Sequence, residues 1–405
     1  MKFLRNLADS SKIEDQVFKV VDLANNDSNS SKINATIGTL FGEDNKLVAL
    51  ESVYNNYNSI SNIDKAKYAA SFVGNKRYNE AVDNWIFSEI NFKLNHKVFA
   101  TIGGSGAVST SFLNTLNAGD TVIIPKIAWG SYQIMAKQYG LKIKTYNNLC
   151  NDKFDISSFK ETLIEVSLNQ KNILVVINDP CQNPTGYSMT INEWKEVVNI
   201  INEISIKNNV TILNDIAYID FSYNKNMRLY LEAFNNISDN VAVLIAFSTS
   251  KSLTSYGLRC GALVIACKQM TDLTNIYQVF EKTARGIWSN VPNAAMNNFA
   301  EIAENHLEDY NKEVDYYIGL LKKRSEIFIK DALAVHLDLY KYKEGFFITL
   351  KMKNNDYRDK LHQKLIENHI YTVKTNFGIR IAICSLPIKD IKGLAFKIKK
   401  IQESL

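Results

Sequence analysis

Residues 241–251 are Val-Ala-Val-Leu-Ile-Ala-Phe-Ser-Thr-Ser-Lys, an apolar run that ends in two serines and a lysine. A run with apolar residues at every position predicts a strand that is buried on both faces, as in a parallel sheet. Burying the ammonium group of Lys251 would cost free energy unless it is paired or neutralised. A partly desolvated cleft would lower the pKa of Lys251 and make its amine a nucleophile toward carbonyl compounds. The alternative is an exposed loop with an ordinary surface lysine.

Other apolar runs of this kind lie on both sides of residues 241–251. They are Thr121–Pro125, Asn172–Asn178, Val210–Asp215 and Gly261–Cys267. Amphipathic segments such as Ile191–Lys207 separate several of these runs. Strands that alternate with helices predict an α/β fold, with a mostly parallel sheet that is covered by helices.

The chain beyond residue 293 has a different pattern, which is helical as far as about residue 333. The next candidate elements are a strand (Gly345–Met352), a helix (Asp356–Asn368), a strand (Ile379–Cys384) and a final helix. This order predicts a smaller α+β domain at residues 296–405, beside a large domain at residues 49–295. Residues 1–48 are expected to form an N-terminal arm and part of the small domain.

A glycine-rich turn, Gly103-Gly104-Ser105-Gly106, follows a strand-like segment and opens a predicted helix. Backbone N–H groups at such a turn can approach a phosphate, and the Ser105 hydroxyl adds a donor. Ser248 and Ser250 supply further hydroxyl donors, and the guanidinium fork of Arg259 suits a phosphate dianion. Taken singly, these features have ordinary alternatives. The glycine-rich segment could be a tight turn without a ligand, and the serines and Arg259 could lie in a solvated loop.

Four more side chains stand at or near predicted strand ends. Trp129 could stack on a planar ring, and Asn183, in an Asn-Pro-Thr-Gly turn, could donate a hydrogen bond to a ring oxygen. Asp215 could pair with a protonated ring nitrogen, and Arg380 could bind a substrate carboxylate. The alternatives are core packing, an ordinary turn, a helix N-cap and a structural ion pair, respectively. The order of all these residues along the chain indicates one site for a small cofactor and its substrate.

Composition excludes several classes of function. The 405 residues are 46% hydrophobic and carry a formal net charge of +5, too weak a bias to predict nucleic-acid binding. The five cysteines form no C-x-x-C and the five histidines no H-E-x-x-H, so no metal site is predicted and a cytoplasmic location is expected. Met1–Asp15 lacks a secretory signal pattern, and no apolar run reaches the ~20 residues that a membrane span requires.

With these residues in this order, the chain resembles the class I aminotransferases of pyridoxal 5′-phosphate (PLP) fold type I. The resemblance is greatest to the aspartate/aromatic branch and extends from Asn34-Ala35-Thr36-Ile37-Gly38 to Arg380. It implies a PLP-dependent transferase fold with a large, mostly parallel-sheet domain and a smaller α+β domain. It also implies PLP as the cofactor, and a small L-amino acid and a 2-oxo acid as substrates.

The resemblance assigns roles to individual residues. Lys251 would be the Schiff-base lysine and proton shuttle, Asp215 the partner of the pyridine nitrogen, and Tyr218 a donor to the phenolic oxygen of the ring. The implied cofactor-binding residues are Gly104, Ser105, Trp129, Asn183, Asp215, Tyr218, Ser248, Lys251, Arg259 and Tyr68. The implied substrate-binding residues are Gly38, Arg285, Arg380 and Asn183.

Two of the implied residues would act across a subunit interface. Tyr68 would contact the cofactor phosphate of a neighbouring subunit, and Arg285 would bind the side-chain carboxylate of a dicarboxylic substrate there. The resemblance therefore implies a homodimer with shared active sites and favours aspartate or glutamate, while aromatic substrates stay open. Tyr132 stands where aspartate-type enzymes often carry a histidine, which argues against a strict aspartate specificity. The resemblance also implies a cis Asn183–Pro184 peptide.

Two other functions are compatible with the same cofactor residues. One is a PLP-dependent β-lyase of the C–S lyase type, because residues that hold the cofactor do not fix which bond at Cα breaks. The other is a non-catalytic PLP-binding regulator. A regulator that binds DNA would need an added module, and the ~30 N-terminal residues are too few for a helix-turn-helix domain. The sequence therefore predicts an aminotransferase first.

Overall fold

The computed structural model describes residues 16–405. The helices are α1 (Gln16–Asn26), α2 (Glu51–Ser59), α3 (Asn62–Ala66), α4 (Lys76–Phe87), α5 (Gly103–Thr115), α6 (Ser131–Gln138), α7 (Ile156–Ser167), α8 (Ile191–Ser205), α9 (Thr249–Ser252), α10 (Met270–Ile287), α11 (Asn293–Asn305), α12 (Leu307–Ala334), α13 (Asn355–Glu367), α14 (Ile388–Ile391) and α15 (Leu394–Glu403). The strands are β1 (Ile33–Asn34), β2 (Asn95–Thr101), β3 (Thr121–Pro125), β4 (Lys142–Tyr146), β5 (Leu149–Cys150), β6 (Lys153–Phe154), β7 (Asn172–Asn178), β8 (Asn209–Asp215), β9 (Val241–Ser248), β10 (Gly261–Cys267), β11 (Phe347–Lys351), β12 (Ile370–Tyr371), β13 (Val373–Thr375) and β14 (Gly378–Ala382). Three 3-10 helices cover Ile219–Phe221, Met227–Asn236 and Ile383–Ser385.

A seven-stranded sheet with the order β2-β10-β9-β8-β7-β3-β4 forms the centre of the fold. The pairs from β9 through β8, β7 and β3 to β4 are parallel, whereas β10 is antiparallel to both β9 and β2. The last residues of β7 and β8, Asn178 and Asp215, pair with each other. The carboxyl ends of the central strands therefore meet at one edge, where α/β sheets bind their ligands. The predicted mostly parallel sheet is confirmed.

Two apolar layers cover the two faces of this sheet. In β9, Val243, Ile245 and Phe247 belong to one layer, while Leu244 and Ala246 belong to the other. Because successive side chains of a strand point to opposite faces, a central strand with helices on both sides must be apolar at every position. This burial explains the continuous apolar runs in the sequence.

A second, smaller sheet with the order β11-β14-β13 packs with α12, α13 and α15 around a third apolar cluster. The long helical span expected up to residue 333 consists of two helices, because α11 ends at Asn305 and α12 begins at Leu307. The first half of α12 packs into the large core through Tyr310, Val314 and Leu321. Its second half packs into the small core through Phe328 and Ala332.

The N-terminal segment connects to the small sheet region. β1 pairs in parallel with β12, so the N-terminal segment contains one short strand. The expected boundary between residues 295 and 296 falls inside α11, which packs on α2 and α4. The division into residues 1–48, 49–295 and 296–405 stays a prediction.

The absence of a secretory signal, predicted for Met1–Asp15, concerns residues outside the described part. Within residues 16–405, no helix is both long and apolar enough to cross a membrane.

Candidate active site

A cavity of about 210 Å³ opens at the carboxyl edge of the central sheet. Its walls contain Gly104, Ser105, Trp129, Tyr132, Asn178, Asn183, Asp215, Ala217, Tyr218, Ser248, Ser250, Lys251, Tyr256 and Arg259. All but one of the predicted cofactor-binding residues are in this set, and the exception is Tyr68. The fold thus gathers side chains that are separated by up to 155 residues in sequence into one site.

One end of the cavity has the donors that a phosphate requires. The first turn of α5 has no side-chain cap, so the N–H groups at Gly104 and Ser105 lie at an open helix N-terminus. Gly103 adopts a φ of +65°, and a Cβ there would lie 2.5 Å from Nη2 of Arg259. Arg259 also donates from Nη1 to the Ser250 hydroxyl at 3.1 Å. Glycine at position 103 is therefore required for the guanidinium to sit against this turn.

The cavity wall also carries a buried carboxylate. Asp215 is the last residue of β8, and its Oδ1 accepts a hydrogen bond from the backbone N–H of Ala217 at 3.1 Å. Its Oδ2 accepts a hydrogen bond from the Tyr132 hydroxyl at 2.5 Å. Burial raises the pKa of Asp215, and the two hydrogen bonds act against that shift. A buried carboxylate of this kind suits a cationic ring nitrogen as its partner.

Lys251 lies on the short helix α9, directly after β9, as the sequence predicts. Its Nζ donates to the backbone carbonyl of Gly38 at 2.6 Å and lies 4.7 Å from the centre of the Tyr256 ring. Burial is the main cause that lowers the pKa of Lys251 to about 8; the charges of Arg380 and Arg259 act in the same direction, and Cys384 acts against them. The amine is therefore far closer to its neutral, nucleophilic form than an exposed lysine is.

Asn183, Tyr218 and Arg380 form a connected group beside the lysine. The oxygen Oδ1 of Asn183 accepts from Nη1 of Arg380 at 3.3 Å, and the Asn183 side chain also hydrogen-bonds Tyr218. Arg380 donates from Nη2 to the Thr36 carbonyl at 2.6 Å, and its guanidinium lies 4.4 Å from the Phe347 ring centre. The Asn183–Pro184 peptide is cis, which confirms that prediction, and the Asp179–Pro180 peptide is cis as well.

Tyr68 and Arg285 lie outside this cavity. Tyr68 is 85% exposed. Arg285 is exposed at the C-terminal end of α10, where it donates to the Ser289 hydroxyl at 2.5 Å and stacks 4.7 Å from the Phe72 ring centre. A role for either residue in the site of their own chain is not supported by this placement. A role in the site of a neighbouring subunit stays a prediction.

Four residues of the cavity wall were not among the residues predicted for the site: Tyr132, Asn178, Ala217 and Tyr256. Asn178 ends β7 just as Asp215 ends β8, so its position at a strand terminus was a usable signal. Tyr256 follows Lys251 by five residues, beyond the end of α9, and its hydroxyl accepts from the backbone N–H of Leu40 at 2.9 Å. Tyr132, noted in the sequence only as a departure from a family pattern, turns its hydroxyl to Asp215 from α6. Only the packing of α6 against the sheet reveals that contact.

The donor set of the cavity fits PLP. An open helix N-terminus with an arginine and serines matches a phosphate, a buried carboxylate matches a pyridinium nitrogen, and a buried lysine matches an aldehyde. No cluster of residues suited to hold a metal ion occurs within residues 16–405.

Comparisons with known proteins agree with this geometry. A family model for aminotransferase class I and II matches residues 30–398. The chain belongs to this family. Among curated relatives, the mitochondrial aspartate aminotransferase of Dictyostelium discoideum is 24% identical over 290 residues, which span 69% of this chain and 66% of that protein. The aspartate aminotransferase of Pseudomonas aeruginosa is 23% identical over 69% of this chain and 70% of its own length.

Solved structures of family members share the fold. An aminotransferase from Anaerococcus prevotii has a TM-score of 0.91 and 30% identity over 98% of this chain and 99% of its own. The aromatic-amino-acid aminotransferase of Burkholderia pseudomallei, covalently bound to pyridoxal phosphate, has a TM-score of 0.80 and 20% identity over 99% of this chain and 100% of its own. The predicted family, fold type, enzyme class and cofactor are confirmed.

Proposed function

We propose that this family member moves an amino group between an L-amino acid and a 2-oxo acid, with aspartate or glutamate as one partner and aromatic amino acids as further substrates. The observation that carries the proposal is the convergence of Lys251, Asp215 and the phosphate donors on one cavity, with Arg380 hydrogen-bonded to Asn183 of the cavity wall. The lysine amine, the ring-nitrogen partner and the carboxylate binder are three separate requirements of amino-group transfer, and one site meets them all.

The cofactor-binding residues would hold PLP in one orientation. Gly104, Ser105, Ser248 and Arg259 would bind the phosphate, and Asp215 would hold the proton on the ring nitrogen. When bound, PLP supplies an electron-withdrawing ring that stabilises negative charge at the substrate Cα. Asn183 and Tyr218 would donate to the phenolic oxygen, since Arg380 already occupies the amide oxygen of Asn183 and leaves its NH₂ group for that role.

Lys251 would then act as the base and acid. Once it is released from the cofactor, its amine would remove the proton from the substrate Cα and deliver a proton to C4′ of the cofactor. A pKa of about 8 gives a substantial neutral fraction near physiological pH, which an ordinary lysine lacks. The Gly38 carbonyl, 2.6 Å from Nζ, would hold the free amine beside the substrate.

Arg380 would bind the α-carboxylate of every substrate. Its guanidinium is already oriented by the Thr36 carbonyl, Asn183 and the Phe347 ring, so little side-chain entropy is lost on binding. A bidentate arginine–carboxylate pair fixes both the position and the rotation of the amino acid. The scissile Cα–H bond would thereby face Lys251.

The homodimer with shared sites is part of this proposal. Ile63, Tyr68 and Ile287 are 78%, 85% and 57% exposed, so a second copy could bury their apolar surface. A second copy that covers them would bring Tyr68 to a cofactor phosphate and Arg285 to a dicarboxylate side chain.

A cytoplasmic location, expected from five cysteines that are all free thiols, belongs to the proposal as well.

The proposal is tested by the absorbance spectrum of the purified protein, before and after addition of L-aspartate or L-glutamate. We expect a near-visible band of lysine-linked PLP that converts to the near-ultraviolet band of the aminated cofactor. D-Aspartate serves as the control and should leave the band unchanged. A band that responds to neither L-donor would contradict the dicarboxylate assignment, and aromatic L-amino acids would then be tested as donors.

Pyruvate and ammonia formed from a β-substituted amino acid without a 2-oxo acid would indicate the β-lyase instead. A bound cofactor without any turnover would indicate the regulator.

A further inference from the structure

Tyr132 makes a contact with the cavity that no role described so far requires. Its side chain is fully buried on α6, and its ring packs edge-on against Trp129 with 5.4 Å between ring centres. Its hydroxyl donates to Oδ2 of Asp215 at 2.5 Å, while Oδ1 accepts from the backbone N–H of Ala217 at 3.1 Å. Each carboxylate oxygen of Asp215 thus accepts one hydrogen bond. One of the two donors, the Tyr132 hydroxyl, belongs to a side chain and can be removed by mutation.

Three other buried tyrosines of this protein use their hydroxyls differently. Tyr146 donates to the carbonyl of Val176, Tyr78 to that of Gly261 and Tyr310 to that of Ser252. Those bonds satisfy a buried hydroxyl against the backbone and concern only the fold. Tyr132 instead donates to a buried carboxylate that lines the cavity, and a hydrogen bond to a charged group contributes about twice as much as a neutral one.

We infer that Tyr132 is a positioning residue, which holds the Asp215 carboxylate ionised and oriented toward the ring nitrogen of the cofactor. The inference rests on the proposed cofactor site and concerns a residue beyond its predicted members. Without the hydroxyl, Asp215 would retain one donor, its burial would be less well compensated, and its carboxylate would be free to rotate.

The hydrogen bond from Tyr132 to Asp215 has a defined dependence on pH, because its donor is a phenol. The other titratable groups whose charges act on Tyr132 are Tyr146 of β4 and Tyr218 after β8. Burial raises the pKa of all three tyrosines, so none of them changes charge near neutral pH. No histidine is among the residues that line the described cavity. Tyr132 therefore supports Asp215 equally across the neutral range, and removing its hydroxyl makes the carboxylate easier to protonate as the pH falls.

The test uses equilibrium binding of PLP to the cofactor-free protein, followed by quenching of tryptophan fluorescence. Tyr132→Phe removes only the hydroxyl, and Tyr146→Phe is the matched control because it removes a buried hydroxyl bonded to a backbone carbonyl. We expect Tyr132→Phe to weaken PLP binding about ten-fold to a hundred-fold at neutral pH, and more at lower pH. Tyr146→Phe should bind PLP as the wild type does.

A second ligand separates positioning from mere packing. The probe is the PLP analogue in which a C–H group replaces the ring nitrogen, so that Asp215 has no partner. We expect Tyr132→Phe and the wild type to bind this analogue with equal affinity. An equal loss of affinity for PLP and for the analogue would overturn the inference, because it would show that Tyr132 only supports the cavity wall.

The outcomes also separate this inference from the proposed function. If the wild type binds no PLP, the proposed function fails. If the wild type binds PLP and Tyr132→Phe binds it with the same affinity and pH dependence, only the role of Tyr132 fails. In the Asp215→Asn background, Tyr132→Phe should add no further loss, since the carboxylate through which it acts is gone.

Discussion

Two parts of the candidate site differ in how complete they are within one chain. The buried floor consists of Tyr132, Asp215, Ser248 and Lys251, which the central sheet and its helices hold in place. The exposed rim consists of Tyr68 and Arg285, which lie outside the cavity of their own chain. The floor is built by folding, whereas the rim would acquire its function only from a second copy. On the proposed function, the residues of the floor would carry out the chemistry common to all substrates, and the residues of the rim would select among substrates only in the dimer.

The largest expected effect comes from replacing Lys251, the proposed nucleophile of the floor. Lys251→Ala should reduce turnover at least about 10³-fold, because the proposed mechanism uses this lysine both as the covalent partner of the cofactor and as the proton carrier. The measurement is steady-state transamination between L-aspartate and 2-oxoglutarate, with PLP retention followed by fluorescence. Lys195→Ala, at an exposed position of α8, is the control and should keep full activity. Near-normal turnover of Lys251→Ala would show that this assignment is wrong.

The next effect concerns Arg380, the proposed binder of the substrate α-carboxylate. Arg380→Lys keeps the positive charge but loses the bidentate fork, so we expect kcat/KM to fall about 10²-fold. The loss should be equal for aspartate, glutamate and aromatic donors, since all share an α-carboxylate. Arg358→Lys, at another largely buried arginine of the small core region, should change none of these values. A loss confined to dicarboxylic donors would assign Arg380 to the side chain instead.

The rim itself is tested with Arg285→Ala. We expect kcat/KM for aspartate to fall about ten-fold to a hundred-fold while aromatic donors are little affected, because only a dicarboxylate loses a charge partner. Mixed dimers of Arg285→Ala and Lys251→Ala chains then identify the subunit in which Arg285 acts. If it acts across the interface, one site of each mixed dimer has both residues intact and aspartate activity returns. If it acts within its own chain, mixing restores nothing.

The smallest effect is on stability. Lys251 has a pKa of about 8 in the folded protein, below its ordinary value of 10.5, so the unfolded chain binds more protons between those pH values. The free energy of unfolding of the cofactor-free protein should therefore rise with pH across that window. Lys251→Met removes the buried amine and should stabilise the cofactor-free protein by about 1–3 kcal/mol at pH 7. The gain, measured by urea denaturation, should shrink toward pH 10.5, and a gain that is constant with pH would indicate better packing alone.

The sequence predicted three of the four floor residues, because Asp215, Ser248 and Lys251 lie at or just after the ends of strands with clear apolar runs. Lys251 after β9 and Asp215 at the end of β8 could be placed from local pattern alone. The contact between Tyr132 and Asp215 could not, since it depends on how α6 packs against a strand 83 residues away in sequence. Helix ends were less predictable than strands, as the break between α11 and α12 shows, because no glycine or proline marks it.

The position of α12 has a consequence for how the protein unfolds. The helix has 28 residues and so is about 42 Å long, with one half packed in the large core and the other in the small core. At its middle, the fully buried Arg324 donates to the carbonyls of Phe41 and Cys384, which ties the N-terminal arm and the small sheet region to the same helix. Neither core can unfold without disrupting α12, the helix that both cores share. The central amides of α12 should therefore exchange with solvent only when the whole molecule opens, and heating should produce one cooperative transition.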